Sequence, residues 1–115
     1  KQSAKVAERE LDETALAAEY KNVRSEVLAE IEGLRAELER NRKRVELYQG
    51  GILLQAQQSL ESAQMGYQVG KVDFLTLITN WMMVENYELQ YFFALADYHK
   101  ALAGYELATG GEATE

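Results

Sequence analysis

YQVGKVDFLTL, Tyr67 to Leu77, decides how the chain is read. A long helical pattern runs into this stretch without a proline, and a second one leaves it on a different aromatic rhythm. Val69, Gly70 and Lys71 form the only sharp reversal that the central region offers. A short turn between two long helices makes an αα-hairpin. The exposed tip of such a hairpin is the first place to look for function.

Upstream of the tip, the apolar positions are Leu16, Tyr20, Val23, Val27, Ile31, Leu34, Leu38, Val45, Ile52, Ala56, Leu60, Ala63 and Tyr67. Their spacing is mostly three and four, a coiled-coil rhythm with a narrow seam. It predicts one helix over about 3–68. The other faces are rich in Glu, Arg, Gln and Ala, which are good helix formers. Like charges face each other at Glu26 and Glu30, whereas Glu39 and Lys43 stand in the favourable order. Gly50 and Gly51 each cost about 1 kcal/mol relative to Ala, so a kink or local break is expected there. At about 1.5 Å per residue this helix spans on the order of 100 Å, too long for a compact globule.

Downstream, Asp73 is a good helix N-cap, and the pattern predicts a helix over about 73–108. Phe74, Leu77, Trp81, Val84, Glu88, Tyr91, Leu95, Tyr98, Leu102 and Tyr105 form one seam, which should pack on the first helix and bury Trp81. Leu75, Ile78, Met82, Glu85, Leu89, Phe92, Ala96 and His99 form a second seam beside it. Two seams imply two neighbours, so the hairpin alone should expose an apolar stripe. Such a segment is expected to associate through Leu75, Ile78, Leu89 and Phe92. Gly110 and Gly111 should stop the helix, leaving a loose tail over 109–115. The second helix can pair only with residues of about 30–68. The first 30 residues then need a partner beyond the hairpin or fray.

Composition narrows the function classes. The chain has 115 residues, no proline, no cysteine and a net charge of −7. No disulfide or thiolate chemistry is open to it. Residues 1–46 carry 10 basic and 11 acidic side chains, and the rest carries only Lys71 and Lys100 against eight acids. No basic surface is left for phosphates, which argues against nucleic acid. No apolar run approaches the roughly 20 residues of a membrane helix. The N-terminal region is too charged for a signal peptide, and without an initiator Met the chain reads as an excised segment.

The candidate chemistry is thin. His99 stands four or more helical turns from Met65, Met82 and Met83, so core or interface filling outweighs a soft-metal path. Glu85 and Glu88 lie three apart, without an identifiable nucleophile or second acid to make them an acid–base pair. They can face water, bridge to a neighbour or mark a ligand site. The aromatic stripe from Tyr87 to Tyr105 reads as helix packing. Arg40, Arg42, Lys43 and Arg44 are balanced by Glu37, Glu39 and Glu46, as on a solvated face.

GYQVGKVDFLTL, followed by a helix ending in ADYHKALAGYELATG, resembles the outer-membrane efflux protein family, the TolC-like outer membrane factors. The likeness is to the second repeat of the heavy-metal efflux branch and covers Leu47 to Gly110. The resemblance implies a trimeric α-helical barrel in the periplasm, continuous with an outer-membrane β-barrel whose strands lie outside this segment. It implies no enzyme activity, no cofactor and no metal. Tyr67, Val69, Gly70 and Lys71 would dock the helical hairpin of a periplasmic adaptor, which connects to an inner-membrane pump. Thr76 and Thr79 stand where some members carry pore-narrowing aspartates, and would line the pore near the tip. Val72 stands where some relatives carry an arginine that tethers a tyrosine like Tyr67. Relatives often carry a proline near Leu54, which this chain lacks. The alternative is a generic coiled coil, or an adaptor-type helical hairpin that binds another protein.

Overall fold

A computed structural model describes residues 1–110. The loose tail expected over 109–115 therefore lies largely outside the described residues. The chain is an elongated helical hairpin, 101 × 27 × 15 Å in extent, with no strand among the described residues. Helix α1 spans Gln2–Leu47, a π-helical turn spans Tyr48–Ile52, α2 spans Leu53–Gln68, and α3 returns over Phe74–Ala108.

The local break expected at Gly50 and Gly51 takes the form of this π-helical turn, and the chain stays helical through it. Tyr48, Ile52 and Leu53 all hold right-handed helical torsions, so α1 passes into α2 through the π-turn. The apolar register gives the reason. Half-buried positions repeat at Ile31, Leu34, Leu38, Asn41, Val45, Tyr48 and Ile52, in alternating steps of three and four. The next is Ala56 rather than position 55, followed by Leu60 and Ala63. One extra residue has entered the repeat. A π-turn absorbs one residue without turning the seam away from its partner.

The partner seam on α3 is regular throughout: Leu77, Asn80, Val84, Tyr87, Tyr91, Ala94, Tyr98, Ala101 and Tyr105. It corrects the sequence expectation at every second position. Trp81 and Glu88 are exposed, Leu95 and Leu102 lie half-buried at the flank, and Asn80, Tyr87, Ala94 and Ala101 take the inner places. The fully inward residues of the hairpin are Ala56, Ala63, Val84 and Ala94. Small side chains let the two helix backbones approach closely, which displaces the bulkier residues to the flanks. Trp81 is 48% exposed, so its expected burial does not hold. It lies with Leu60, Phe74, Leu77 and Ile78 along an open apolar groove.

Two polar contacts cross the hairpin. Arg44 Nη1 lies 3.1 Å from Asp97 Oδ2, and the Tyr48 hydroxyl donates to Gln90 Oε1 at 2.7 Å. Along α1 itself, Arg42 pairs with both Glu39 and Glu46, and Arg35 with Glu32. Glu39 thus pairs with Arg42 rather than with Lys43. These pairs are exposed, and each contributes a few tenths of a kcal/mol to helix stability at most.

Two apolar surfaces remain bare. Residues 2–30 of α1 are exposed throughout, including Leu16, Tyr20, Val23 and Val27, because α3 ends before it reaches them. On α3, Leu75, Met82, Leu89 and Phe92 of the second seam are exposed, Phe92 by 68%. At the upper end, Gly110 takes φ +76° just past α3, the left-handed conformation that closes a helix.

Candidate functional site

The tip is built by how α2 stops. Val69 leaves helical geometry at φ −98°, ψ 5°, and Gly70 follows at φ +77°. Side chains rarely adopt that left-handed region, and glycine does so without steric cost. The Lys71 N–H then donates to the Gly66 carbonyl at 2.8 Å, and the Gly70 N–H to the Tyr67 carbonyl at 3.1 Å. These two bonds are a Schellman closure. A third, from the Val72 N–H to the Gly66 carbonyl at 3.2 Å, carries the chain onward. The Gly66 and Tyr67 carbonyls at the end of α2 are thereby occupied, and the loop is pinned by three bonds.

The start of α3 is equally defined. Asp73 is extended at φ −80°, ψ 166°, and its Oδ1 accepts from the Thr76 N–H at 2.8 Å. Hydrogen bonding by the Thr76 side chain, and then by its N–H, holds the Asp73 carboxyl below its ordinary range. Below the loop, the rings of Tyr67 and Phe74 meet edge to face, with centroids 5.9 Å apart. Tyr67 thus finds an aromatic partner across the hairpin, and Val72 turns inward onto Gly66.

The docking residues expected from sequence come together at this end. Tyr67, Val69, Gly70 and Lys71 are all exposed, Val69 by 68%. Lys71 forms no ion pair among the described residues. Gly70, Lys71, Val72, Asp73 and Thr76 enclose a shallow concavity that opens to solvent. The surface therefore offers an apolar knob at Val69, a free ammonium at Lys71 and a glycine that lets a partner backbone come close.

Thr76 and Thr79 are exposed on the first turns of α3. The Thr79 hydroxyl donates to the Leu75 carbonyl at 2.7 Å, and Asn80 Nδ2 to the Thr76 carbonyl at 2.8 Å. Glu85 and Glu88 are exposed farther along α3, and His99 packs edge to face on the neighbouring Tyr98 ring. Among the described residues, no three His, Cys, Asp or Glu side chains gather to hold a metal ion. No described helix is long and apolar enough to cross a membrane.

One tip residue escaped the sequence reading. Gly66 accepts two of the three loop bonds, and a Cβ on it would sit 2.5 Å from Val72 Cγ2. The signal was its spacing. A glycine four residues before the turn glycine occupies the position whose carbonyl a Schellman closure uses, and apolar contact at that place accompanies the motif. Comparison with protein-family models, with curated proteins and with solved structures finds no match to this chain.

Proposed function

We propose that the chain is the periplasmic hairpin of an outer-membrane efflux duct, part of a homotrimeric α-helical barrel without catalytic chemistry of its own. The reading rests on the resemblance of Gly66–Leu77 and the α3 sequence to that family. The observation that carries it furthest is the tip. A docking surface should be exposed, chemically mixed and held in shape before the partner arrives, because ordering a loose loop on binding costs affinity. Val69, Gly70 and Lys71 meet those conditions at the end of a hairpin 101 Å long.

Two further features support the reading. The second seam of α3 repeats at Leu75, Ile78, Met82, Leu89 and Phe92 and is unpaired, as a helix in a closed wall requires before its neighbour is added. The apolar positions of residues 2–30 are unpaired as well, so the same wall has to continue above α3. In this arrangement the adaptor's helical hairpin meets the tip, the pump is reached through the adaptor, and Thr76 and Thr79 give the lower wall a polar lining.

The test uses the full-length protein with its pump. Gly70→Trp should abolish adaptor cross-linking and export while helix content is unchanged, and Lys43→Ala on the flank of α1 serves as the control. Normal export and cross-linking by a folded Gly70→Trp protein would remove the tip from the docking site. Cross-links that instead map along the flank of α1 or α3 would favour an adaptor-type hairpin or generic coiled coil.

A further inference from the structure

We infer that Gly66 is the positioning residue of the tip: the space left by its missing side chain is the seat of Val72, and that seat sets where Val69, Gly70 and Lys71 stand. That the tip so positioned docks a partner rests on the proposed function. The seat itself does not.

The argument is steric. A Cβ on Gly66 would lie 2.5 Å from Val72 Cγ2 and 3.3 Å from Val72 Cβ. The first distance is far inside van der Waals contact, which for two carbons is about 3.5–4.0 Å. Rotating Val72 about χ1 could move Cγ2, but valine is stiff at that bond. The 3.3 Å approach to Val72 Cβ asks for only a few tenths of an ångström, so the overlap with Cγ2 is what forces residue 72 to withdraw. Its N–H and that of Lys71 both end on the Gly66 carbonyl, at 3.2 and 2.8 Å. Withdrawal therefore pulls on the bonds that fix the loop, and the seat and the bonds stand or fall together.

Gly70 differs in kind. A Cβ there would meet nothing within 4 Å, so its constraint is the torsion φ +77° and not space. Gly66 carries an ordinary helical torsion and a spatial constraint. Gly33, inside α1, has neither. Two glycines of the tip thus do separate things: Gly70 lets the chain reverse, and Gly66 sets how deeply the reversed chain sits against α2.

The experiment compares Gly66→Ala, Val72→Ala, the double variant and Gly33→Ala by site-resolved amide hydrogen exchange of the chain. Cross-linking from a photoreactive group at position 69 to the adaptor is then measured in the full-length protein. Gly66→Ala should speed exchange of the Lys71 and Val72 amides by at least about tenfold, with the amides of α1 unchanged. Removing Cγ1 and Cγ2 in the double variant should return both amides to within about threefold of the unaltered chain. A general loss of helix would not be repaired in this way. Cross-linking should fall and recover in parallel. Unchanged exchange in Gly66→Ala, or no recovery in the double variant, overturns the seat. Exchange that changes and recovers while cross-linking never moves upholds the seat and overturns the docking role of the tip.

Discussion

At the tip, a Cβ added to Gly66 would run into Val72 at 2.5 Å, and Gly70 holds φ +77°. At the π-turn, a Cβ added to Gly50 or Gly51 would meet nothing within 4 Å, and neither residue has a positive φ. Each region carries two glycines, but the two pairs answer to different physics. The tip pair is required by shape. The π-turn pair is required by neither space nor torsion, and it only lowers helix stability locally, by about 1 kcal/mol each. The bulge is imposed from outside. The seam of α3 keeps its period of three and four, while that of α1 and α2 carries one residue too many. Glycines there make it easier for the helix to accept the extra residue.

The comparison can be broken most forcefully at the tip. Gly70→Val forces a β-branched side chain into the left-handed region, where such residues are outliers. The expected loss is about 1–3 kcal/mol of hairpin stability. Thermal unfolding of the variant beside the unaltered chain measures it, and an unchanged midpoint would mean that the reversal can close without φ near +77°.

At the π-turn the sign should reverse. Gly50→Ala and Gly51→Ala each have open space around the new methyl, so each should stabilise the helix by about 1 kcal/mol. If either variant melts below the unaltered chain, the bulge needs glycine for a reason that the geometry does not contain.

Tyr48 sharpens the claim that the bulge is held from α3. Its hydroxyl donates to Gln90 Oε1 across the hairpin at 2.7 Å. Tyr48→Phe should cost about 0.5–1.5 kcal/mol, the range for one hydrogen bond. It should also loosen the amides of residues 48–53 before those of α2 near the tip. Uniform loosening along the hairpin would mean that the contact stabilises the fold without pinning the bulge.

The same contrast marks how far the sequence was legible. The reversal at Val69–Lys71 was readable because Gly70 breaks two strong periodic patterns and Asp73 caps the returning helix. The bare state of residues 2–30 was readable from helix lengths alone. The inner seam of α3 was not. Leu77, Val84, Tyr91, Tyr98 and Tyr105 belong to two overlapping repeats, and apolar bulk chose the one through Trp81 and Leu95. The hairpin uses the other, through Asn80, Tyr87, Ala94 and Ala101, because alanine permits the closer approach. Ala94 is 0% exposed, and Trp81 is 48% exposed. Hydrophobicity ranks residues by transfer from water, while a two-helix seam also selects them by how near they let the backbones come. The sequence showed gaps in the first seam near Asn41 and Tyr48, but only the structure, with Asn41 and Tyr48 in the seam and the next place at Ala56, shows one extra residue taken up by a π-turn. At the site, Gly70 announced itself as a turn glycine, whereas Gly66 stood inside a helical run, its importance set by a side chain six positions away.

The smallest expected effect lies at the start of α3, on the other side of the tip. Asp73 accepts from the Thr76 N–H, and its carboxyl is held below its ordinary range by the Thr76 side chain first and the backbone N–H second. A carboxyl depressed in the folded state stabilises the fold above its unfolded pKa, about 3.9, and loses that contribution as pH falls through the folded value. Asp73→Asn keeps an N-cap acceptor and removes only the charge. The unaltered chain should therefore melt slightly above the variant at pH 7, because the carboxylate also favours the positive end of α3. The gap should close below about pH 4 as the carboxyl protonates. Glu32 and Glu39, also held low by Arg35 and Arg42, titrate in both proteins and cancel from the difference. A gap that persists unchanged to pH 3 would show that the aspartate acts through shape alone. The tip would then be closed by steric fit on both sides, by Gly66 at the end of α2 and by Asp73 at the start of α3, with no electrostatic part.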